Sequence, residues 1–334
     1  MIRLEKLRPH DRATLESLFK ITQKSLINVV DNFLKNKYEK VNKTKDYVYA
    51  IGNIPVLLVA HLDTVFDKPP TDIYYDSGKG VMWSPQGLGA DDRAGVWAII
   101  KIIRSGLRPH ILFTTDEELG GLGADKFIDK YPTCPFGNLK YIIQLDRRGT
   151  NDCVFYDCWN DKFLEYVESF GFCENWGSFT DISIICPKWK IAGVNLSVGY
   201  EDEHSVSETL HIIPLNQTIE KVIKMLKVAD RAEHFEYVEN PYSKYYWPYY
   251  SGKDIDIKAG ASKCHYCGFP HLDVDMFPLK TEDGKTAYAC DNCVGKVGWC
   301  QRCSEAFEIT KNSFSDILCP DCEAELFQEK VRYE

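Results

Sequence analysis

Carboxylates and imidazoles follow apolar runs at several places in the sequence. "AHLDTV" and "GYEDEHSVSE" each carry one histidine, while "GLGADDRAG", "TTDEELGG" and "IIQLDRRG" carry single or adjacent acids. The residues concerned are His61, Asp63, Asp91, Asp92, Glu117, Glu118, Asp146 and His204. Each one alone is explained by an ordinary role, such as a solvated surface acid or a core histidine. Gathered at one place, so many carboxylates are stable only beside cations, so the set predicts a metal centre.

The pair Asp91-Asp92 has a second explanation, because it stands directly before an apolar stretch with helical spacing. The start of a helix favours acidic side chains, since its free amide groups and its dipole attract negative charge. Capping therefore accounts for this pair taken alone, and a metal role depends on the other acids lying nearby.

Apolar strands and amphipathic helices alternate through the first two-thirds of the chain. Strands are predicted at "DYVYAIG", "IPVLLVAHLD", "HILFTT", "YIIQLD", "CVFYD" and "IAGVNLSVG", a hairpin at "TDIYYDSGKGVMWSP", and helices at 11–36, 93–103, 121–130, 160–169 and 215–229. This order predicts the α/β class, with a central, largely parallel mixed sheet flanked by helices on both faces. Sites in such sheets collect at the carboxyl ends of the strands, where these acids and histidines stand.

Six motifs carry a resemblance to a known group of enzymes. "AHLDTV", "GLGADDRAG", "TTDEELGG", "LDRRG", "FTDISII" and "GYEDEHSVSETLHI" follow one another within about residues 45–230. In this order they resemble the di-zinc exopeptidase superfamily, which includes tripeptide aminopeptidases, bacterial leucyl aminopeptidases and glutamate carboxypeptidase-like hydrolases. Many relatives insert a lid or dimerisation domain, and the short gaps between these motifs predict the compact form without a lid.

The resemblance implies a role for each motif residue. The implied ligands of two catalytic zinc ions are His61 and Asp146 on one ion, Glu118 and His204 on the other, and Asp91 as the bridge between them. Glu117 is implied as the general base, and Asp63 as the carboxylate that orients His61. Asp92 is expected to hold Asp91 in place, and the peptide bond between them is implied to be cis. Two such ions about 3.5 to 4 Å apart acidify a shared water and polarise a scissile carbonyl, so hydrolysis needs no protein nucleophile.

Charges beside the motifs bear on the substrate. Asp146 stands where carboxypeptidase-like relatives tend to have Glu, which favours aminopeptidase action. The acidic run 201–203 is a candidate for holding a substrate's amino group, and Arg147 and Arg148 are candidates for binding a carboxylate. The alternative is that these charges are simply solvated. His211, in the apolar run "TLHII", is predicted to be a core residue.

Eight of the 13 cysteines form four CxxC pairs close to the C-terminus. They are Cys264 and Cys267, Cys290 and Cys293, Cys300 and Cys303, and Cys319 and Cys322. Four such pairs satisfy two tetrahedral zinc ions with no open position, which is typical of structural sites. Two connectivities stay open, one joining the first pair to the second and the third to the fourth, the other interleaved. The metals are expected to supply most of the folding energy of this small module.

Three regions are predicted: a di-zinc catalytic domain at 1–231, an aromatic-rich connector at 232–262, and a zinc-ribbon-like module at 263–334. The net charge of −9 argues against a nucleic-acid partner, and the module itself has 8 Lys and Arg against 13 Asp and Glu. A protein partner, or docking on the catalytic domain, is expected for the module instead. No apolar run has the length of a membrane span, and CxxC spacing suits a reducing compartment, so a cytoplasmic location is predicted.

The sequence therefore predicts a cytoplasmic di-zinc aminopeptidase that acts on short peptides. One alternative is an amidohydrolase that deacylates N-acyl amino acids with the same metals and the same base. The other is a scaffold without catalysis that works through its zinc module, although the presence of Glu117 as a base argues against it. Zinc, cobalt and manganese all suit such ligands, so the metal used in the cell is left open.

Overall fold

The computed structural model describes residues 7–239 and, beyond them, 261–265, 270–272, 276–281, 285–290, 297–300, 302–303, 306–308 and 322. The chain divides into two compact units, Met1–Asn240 and Pro241–Glu334. The division falls inside the predicted connector.

An eight-stranded sheet forms the centre of the first unit. Its strands, in chain order, are β1 (Lys40–Lys43), β2 (Tyr47–Ile51), β3 (Ile54–His61), β6 (Pro109–Thr114), β7 (Tyr141–Arg147), β8 (Asp152–Val154), β9 (Cys173–Glu174) and β10 (Gly193–Ser197). They lie in the order β1-β2-β6-β3-β7-β10-β8-β9. The four central strands β6, β3, β7 and β10 are parallel, while β2 and β8 pair with them antiparallel. The predicted mixed, largely parallel sheet is confirmed.

Helices pack on this sheet in two groups. They are α1 (Pro9–Phe19), α2 (Gln23–Lys35), α3 (Ala90–Arg104), α4 (Leu122–Lys130), α5 (Asp161–Glu168), α6 (Asp181–Trp189) and α7 (Ile212–Val228). α3 contacts β3 and β7 together with α1 and α7, whereas α6 contacts the same two strands together with α4. The strands between them are buried along almost their whole length, which explains their continuous apolar runs.

Two helix predictions differ from the structure. The single helix predicted at 11–36 is wrong, because the chain breaks between α1 and α2, where the Thr22 side chain accepts a hydrogen bond from the Ser25 N–H. The Arg93 side chain holds this break by donating to the carbonyl oxygens of Leu18 and Ile21. Helix α6 was not predicted, although Thr180 and Ser183 form a capping box at its start.

A second, four-stranded sheet holds the loop that carries His204. Its strands are β4 (Tyr74–Asp76), β5 (Val81–Trp83), β11 (Tyr200–Glu201) and β12 (Thr209–His211), in the order β11-β12-β5-β4. The predicted hairpin is confirmed as β4 and β5. Because β12 pairs with both β5 and β11, the 202–208 loop is fixed at both ends.

The start of the predicted connector packs on the first unit. The Phe235 N–H donates to the Lys140 carbonyl, and the Phe235 carbonyl accepts from the Ala192 N–H. The Phe235 side chain is buried among the aromatic rings of Tyr141, Phe163 and Tyr166. The part of the connector from 240 to 260 lies outside the described residues.

The second unit consists, in its described part, of short strands. A two-stranded sheet contains β13 (Ala261–Lys263) and β14 (Pro270–Leu272). A four-stranded sheet contains β15 (Met276–Lys280), β16 (Thr286–Cys290), β17 (Val297–Trp299) and β18 (Ala306–Glu308), in the order β16-β15-β18-β17. In neither unit does a described helix have the length and apolar character needed to span a bilayer.

Candidate active site

The first part of the site lies at the carboxyl ends of neighbouring parallel strands. β3 ends at His61, which stands opposite Thr114 at the end of β6, and β7 on its other side carries Asp146 near its own end. The His61 Nε2 atom lies 3.1 Å from Asp91 Oδ1 and 3.3 Å from Asp146 Oδ1. All three side chains are at least nine-tenths buried. One imidazole and two carboxylates thus share one small, enclosed volume.

A second group uses the other oxygen of Asp91. The His204 Nε2 atom lies 3.3 Å from Asp91 Oδ2 and 3.0 Å from Glu118 Oε2. His204 is half-exposed, while Glu118 directly follows Glu117 in the loop after β6. The two oxygens of Asp91 therefore face two different imidazoles, each of which has a further carboxylate beside it.

This donor set fits two divalent cations. The candidate ligand atoms of His61, Asp91 and Asp146 lie within 4.8 Å of one another, and so do those of Asp91, Glu118 and His204. Nitrogen and carboxylate oxygen are ligands that zinc accepts. Burial raises the pKa of Asp146 to about 6, with the charge of Asp91 adding to the rise and His61 opposing it. Burial also opposes ionisation of Asp91, yet hydrogen bonds from His204 and His61 hold the pKa of Asp91 below its usual value.

Asp63 connects the two groups. Its Oδ1 atom lies 3.2 Å from His61 Nδ1, and its Oδ2 atom accepts a hydrogen bond of 3.0 Å from the Glu118 N–H. Burial opposes a low pKa for Asp63, but the neighbouring His61 charge and these hydrogen bonds lower it overall. One carboxylate thereby orients the His61 ring and the Glu118 backbone together.

The adjacent acids Asp91 and Asp92 divide two tasks. Both have non-helical backbone angles, so the regular part of α3 begins at Arg93, and the peptide bond between them is cis, which confirms that prediction. Asp92 Oδ1 accepts a hydrogen bond of 3.0 Å from the Gly95 N–H, which is a helix cap. Asp92 Oδ2 accepts a hydrogen bond of 3.1 Å from the His61 N–H. Both explanations of the pair therefore apply, with capping at Asp92 and the candidate ligand at Asp91.

Glu117 lies beside the two sets of candidate ligands that share Asp91, but it is a member of neither set. Its side chain is 9% exposed. Burial raises the pKa of Glu117 to about 10, with the negative charges of Asp146, Asp181 and Asp91 adding to the rise and His61 opposing it. Burial and the neighbouring carboxylates thus both disfavour the ionised form of Glu117.

Asp146 is surrounded by donors that the motif analysis did not single out. Its Oδ2 atom accepts from Thr180 Oγ1 at 2.7 Å and from Gln144 Nε2 at 3.1 Å, and its Oδ1 atom accepts from the Tyr200 hydroxyl at 3.3 Å. The Asn195 side chain accepts a hydrogen bond from the Asp146 N–H and donates one to the Asp146 carbonyl oxygen. Gln144 was detectable, because it is a polar residue two positions before Asp146 in an apolar strand and so lies on the same face.

Glu208 is the most prominent residue that was missed. It is fully buried, and its two oxygens accept from the Gly89 N–H at 2.5 Å and from the Asp91 N–H at 3.0 Å. Burial raises the pKa of Glu208 to about 7, although these backbone hydrogen bonds oppose the rise. Glu208 follows His204 by four residues, so it ties the His204 loop to the backbone of Asp91. Residue type alone carried no signal for this contact, because its partners are more than a hundred positions away.

The two arginines predicted to bind a substrate carboxylate each have an acidic side chain nearby. Arg148 Nη1 lies 2.9 Å from Glu203 Oε1, and Arg147 Nε lies 3.9 Å from Asp152 Oδ2. A substrate carboxylate would compete with Glu203 for Arg148. His211, predicted to be a core residue, lies in β12 and is partly exposed.

Comparisons with known proteins support the resemblance found in the motifs. Residues 43–162 match the model of peptidase family M28. The M28 match contains His61, Asp91, Glu118 and Asp146 but ends before His204 and before the cysteine pairs. No curated protein matches the chain.

Solved structures of peptidases share the fold. One is aminopeptidase PepT from Bacillus cereus ATCC 10987, with a TM-score of 0.50 and 14% identity over 66% of this chain and 98% of that one. Another is a tripeptidase from Staphylococcus aureus subsp. aureus Mu50, with a TM-score of 0.52 and 14% identity over 68% of this chain and 100% of that one. At this identity the likeness establishes the fold alone. The family match and the fold together support a peptidase.

Proposed function

We propose that this chain is a metal-dependent aminopeptidase that cleaves short peptides. The observation that carries the proposal is the placement of Asp91, whose two carboxylate oxygens face His61 and His204 separately. We assign His61, Asp91 and Asp146 to one zinc ion, and Asp91, Glu118 and His204 to a second. The M28 match supports a peptidase with such a centre.

The protein's own residues divide the work around these cations. When bound, two zinc ions supply Lewis acidity, which makes a water more acidic and polarises a substrate carbonyl. Asp63, Asp92 and Thr180 hold the ligands His61 and Asp146 in place through the hydrogen bonds described above. Glu117, which is assigned to neither ion, accepts a proton from the attacking water and passes it to the leaving amine.

The preference for a free amino terminus is the finer part of the proposal. Acidic residues at 201–203 precede His204 directly, and since Glu203 is paired with Arg148, Glu201 and Asp202 are the candidates to meet a substrate ammonium group. Arg147 and Arg148 are retained as candidates for the substrate carboxylate. The names of the two similar structures, an aminopeptidase and a tripeptidase, agree with a preference for short peptides that have a free amino terminus.

The decisive experiment replaces the proposed base while keeping its shape. Glu117→Gln is expected to lower kcat by about 100-fold or more, because general base catalysis contributes about 10² to 10⁴ in rate. Zinc content, measured by mass spectrometry of the metal, is expected to stay unchanged, because Glu117 is not a ligand. The matched control is Glu174→Gln, which changes an exposed glutamate on β9 and is expected to keep the wild-type kcat and zinc content.

Two results would contradict the assignment. An unchanged kcat in Glu117→Gln would show that Glu117 is not the general base. A loss of zinc from this variant would show that Glu117 is a metal ligand instead. A tripeptide with a free amino terminus and an N-acetylated amino acid then separate an aminopeptidase, which cleaves only the peptide, from an amidohydrolase of N-acyl amino acids.

A further inference from the structure

The four-stranded sheet of the second unit has two halves. On one side, β15 and β16 are antiparallel, with Met276 opposite Cys290. On the other side, β17 and β18 are antiparallel, with Gly298 opposite Phe307. The halves meet where β15 and β18 run parallel, with Lys280 opposite Phe307. Each half is thus a separate hairpin-like pair of strands within one sheet.

Three cysteines gather at the β17–β18 half. The sulfur atoms of Cys300, Cys303 and Cys322 lie within 4.8 Å of one another. Cys300 follows β17 directly, and the side chains of Cys300 and Cys322 are buried against the fully buried ring of Phe307. Four thiolates around a tetrahedral zinc ion, with Zn–S bonds of about 2.3 Å, lie about 3.8 Å apart. The observed spacing is therefore compatible with one shared ion.

Cys264 lies at the β15–β16 half instead. It forms a β-bridge with Tyr288 of β16, and the next residue, His265, donates its N–H to the Tyr288 carbonyl at 2.7 Å. The Cys264 side chain is buried against Met276, which is the residue opposite Cys290 in the sheet. Cys264, whose side chain is described, is not a member of the three-sulfur group.

From these positions we infer that the cysteine module binds two separate structural zinc ions in chain order. Cys300, Cys303 and Cys322 share one ion, and Cys264 belongs to the other. The third and fourth CxxC pairs thus act together, which leaves the first pair to act with the second. The interleaved connectivity, in which Cys264 would share an ion with Cys300, does not agree with this placement. Cys267, Cys293, Cys319 and the Cys290 side chain lie outside the description and are assigned by their CxxC spacing alone.

The physical consequence is that each zinc ion stabilises its own half of the sheet. An ion bound by the third and fourth pairs holds together segments from about residues 300 and 322, on either side of β18. Loss of that ion leaves the ligands of the first half intact. The two ions are therefore expected to leave the full-length protein independently.

Alkylation of the full-length wild-type chain tests the pairing without any mutation. The zinc-loaded protein is treated with graded amounts of a chelator, reacted with a thiol alkylating agent and mapped by mass spectrometry. We expect Cys300, Cys303 and Cys322 to become reactive together, over a range of chelator concentration that differs from the range in which Cys264 becomes reactive. Cys173, an exposed cysteine of the first unit, is the internal control and is expected to react at every chelator concentration.

Paired substitutions give a second, independent readout. Cobalt replaces zinc in such sites, and only cobalt bound to thiolates gives sulfur-to-metal charge-transfer absorption, so the first unit's nitrogen and oxygen ligands do not contribute. Cys300→Ser with Cys322→Ser is expected to affect one site alone and to leave the other with its full four-thiolate spectrum, whereas Cys264→Ser with Cys300→Ser is expected to alter both sites, because each then keeps only three thiolates. The reverse pattern would establish the interleaved connectivity and overturn the inference. Four thiols that react fully before any chelator is added, or disulfides among them, would overturn the zinc sites themselves.

Discussion

Replacing Glu208 by Gln separates its role as a hydrogen-bond acceptor from its size. In the structure, one carboxylate accepts from two buried backbone donors, the Gly89 N–H at 2.5 Å and the Asp91 N–H at 3.0 Å. A Gln side chain keeps one oxygen but turns an amide N–H₂ group toward the other donor. One buried N–H beside Asp91 is then left without an acceptor, and the start of α3 must shift to relieve the contact.

The expected size of the effect on zinc binding and activity follows from that single lost hydrogen bond. A buried polar group without a partner costs about 1 to 3 kcal/mol, which corresponds to about 5- to 150-fold in an equilibrium constant. Changes to groups that support metal ligands typically cost about 10- to 100-fold in metal affinity or activity. We therefore expect Glu208→Gln to weaken zinc binding, or to lower kcat/KM on a tripeptide, by about 10- to 100-fold.

The assay combines metal affinity, activity and folding. Competition with a chromophoric chelator gives the apparent zinc dissociation constant, and far-ultraviolet circular dichroism verifies that the variant is folded. Glu174→Gln is again the control, since it removes the same charge at an exposed position. A folded Glu208→Gln protein with wild-type zinc affinity and wild-type kcat/KM would show that Glu208 does not position Asp91.

Two further predictions concern stability. His110 is buried and its Nδ1 accepts from the Gly52 N–H at 3.2 Å, and burial lowers the pKa of His110 to about 4. In the unfolded chain the pKa of His110 is about 6.5, so the unfolded state takes up this proton first as the pH falls. The stability that neutral His110 contributes is therefore lost between about pH 6.5 and pH 4, and the loss is about 2 to 3 kcal/mol at pH 4.5. His110→Asn, which keeps the acceptor, is expected to lose that much less stability between pH 7.5 and pH 4.5 in urea unfolding with chelator present. Thr22→Ala removes the cap of α2 and is expected to lower the free energy of unfolding by about 1 kcal/mol at neutral pH.

Each of these has a clear contrary result. Parallel stability-against-pH curves for wild type and His110→Asn would show that His110 titrates normally in the folded state. Ser17→Ala, at an exposed position in α1, is the control for Thr22→Ala. Equal urea midpoints for the Thr22 and Ser17 variants would mean that the cap contributes nothing to the break between α1 and α2.

Much of the fold and of the site was predictable because both follow from local pattern. Apolar runs alternating with amphipathic segments specify parallel strands and covering helices, and parallel strands end at one edge of the sheet. His61 and Asp146 stand at the ends of adjacent strands in that arrangement, so their approach follows from the sequence pattern. The resemblance in the motifs adds Asp91 and the cis bond after it.

Other features depend on contacts between distant parts of the chain. The break between α1 and α2 is held by Arg93, more than seventy positions away, so the helical spacing of 11–36 did not reveal it. Glu208 reads as an ordinary surface acid until the second sheet brings it to the amides of Gly89 and Asp91.

The amino-acid sequence by itself determined which chemical groups are present and where each stands along its strand, since periodicity and spacing are local properties. Beyond the approach of His61 to Asp146, only the tertiary structure decided which groups meet. The contact of Glu208 with the amides of Gly89 and Asp91, the donors around Asp146 and the convergence of Cys300 with Cys322 all join segments separated in the chain. Such contacts are set by how the sheets pack as a whole, because a hydrogen bond or a metal site needs its atoms within a few ångströms, and spacing along the chain does not fix that distance.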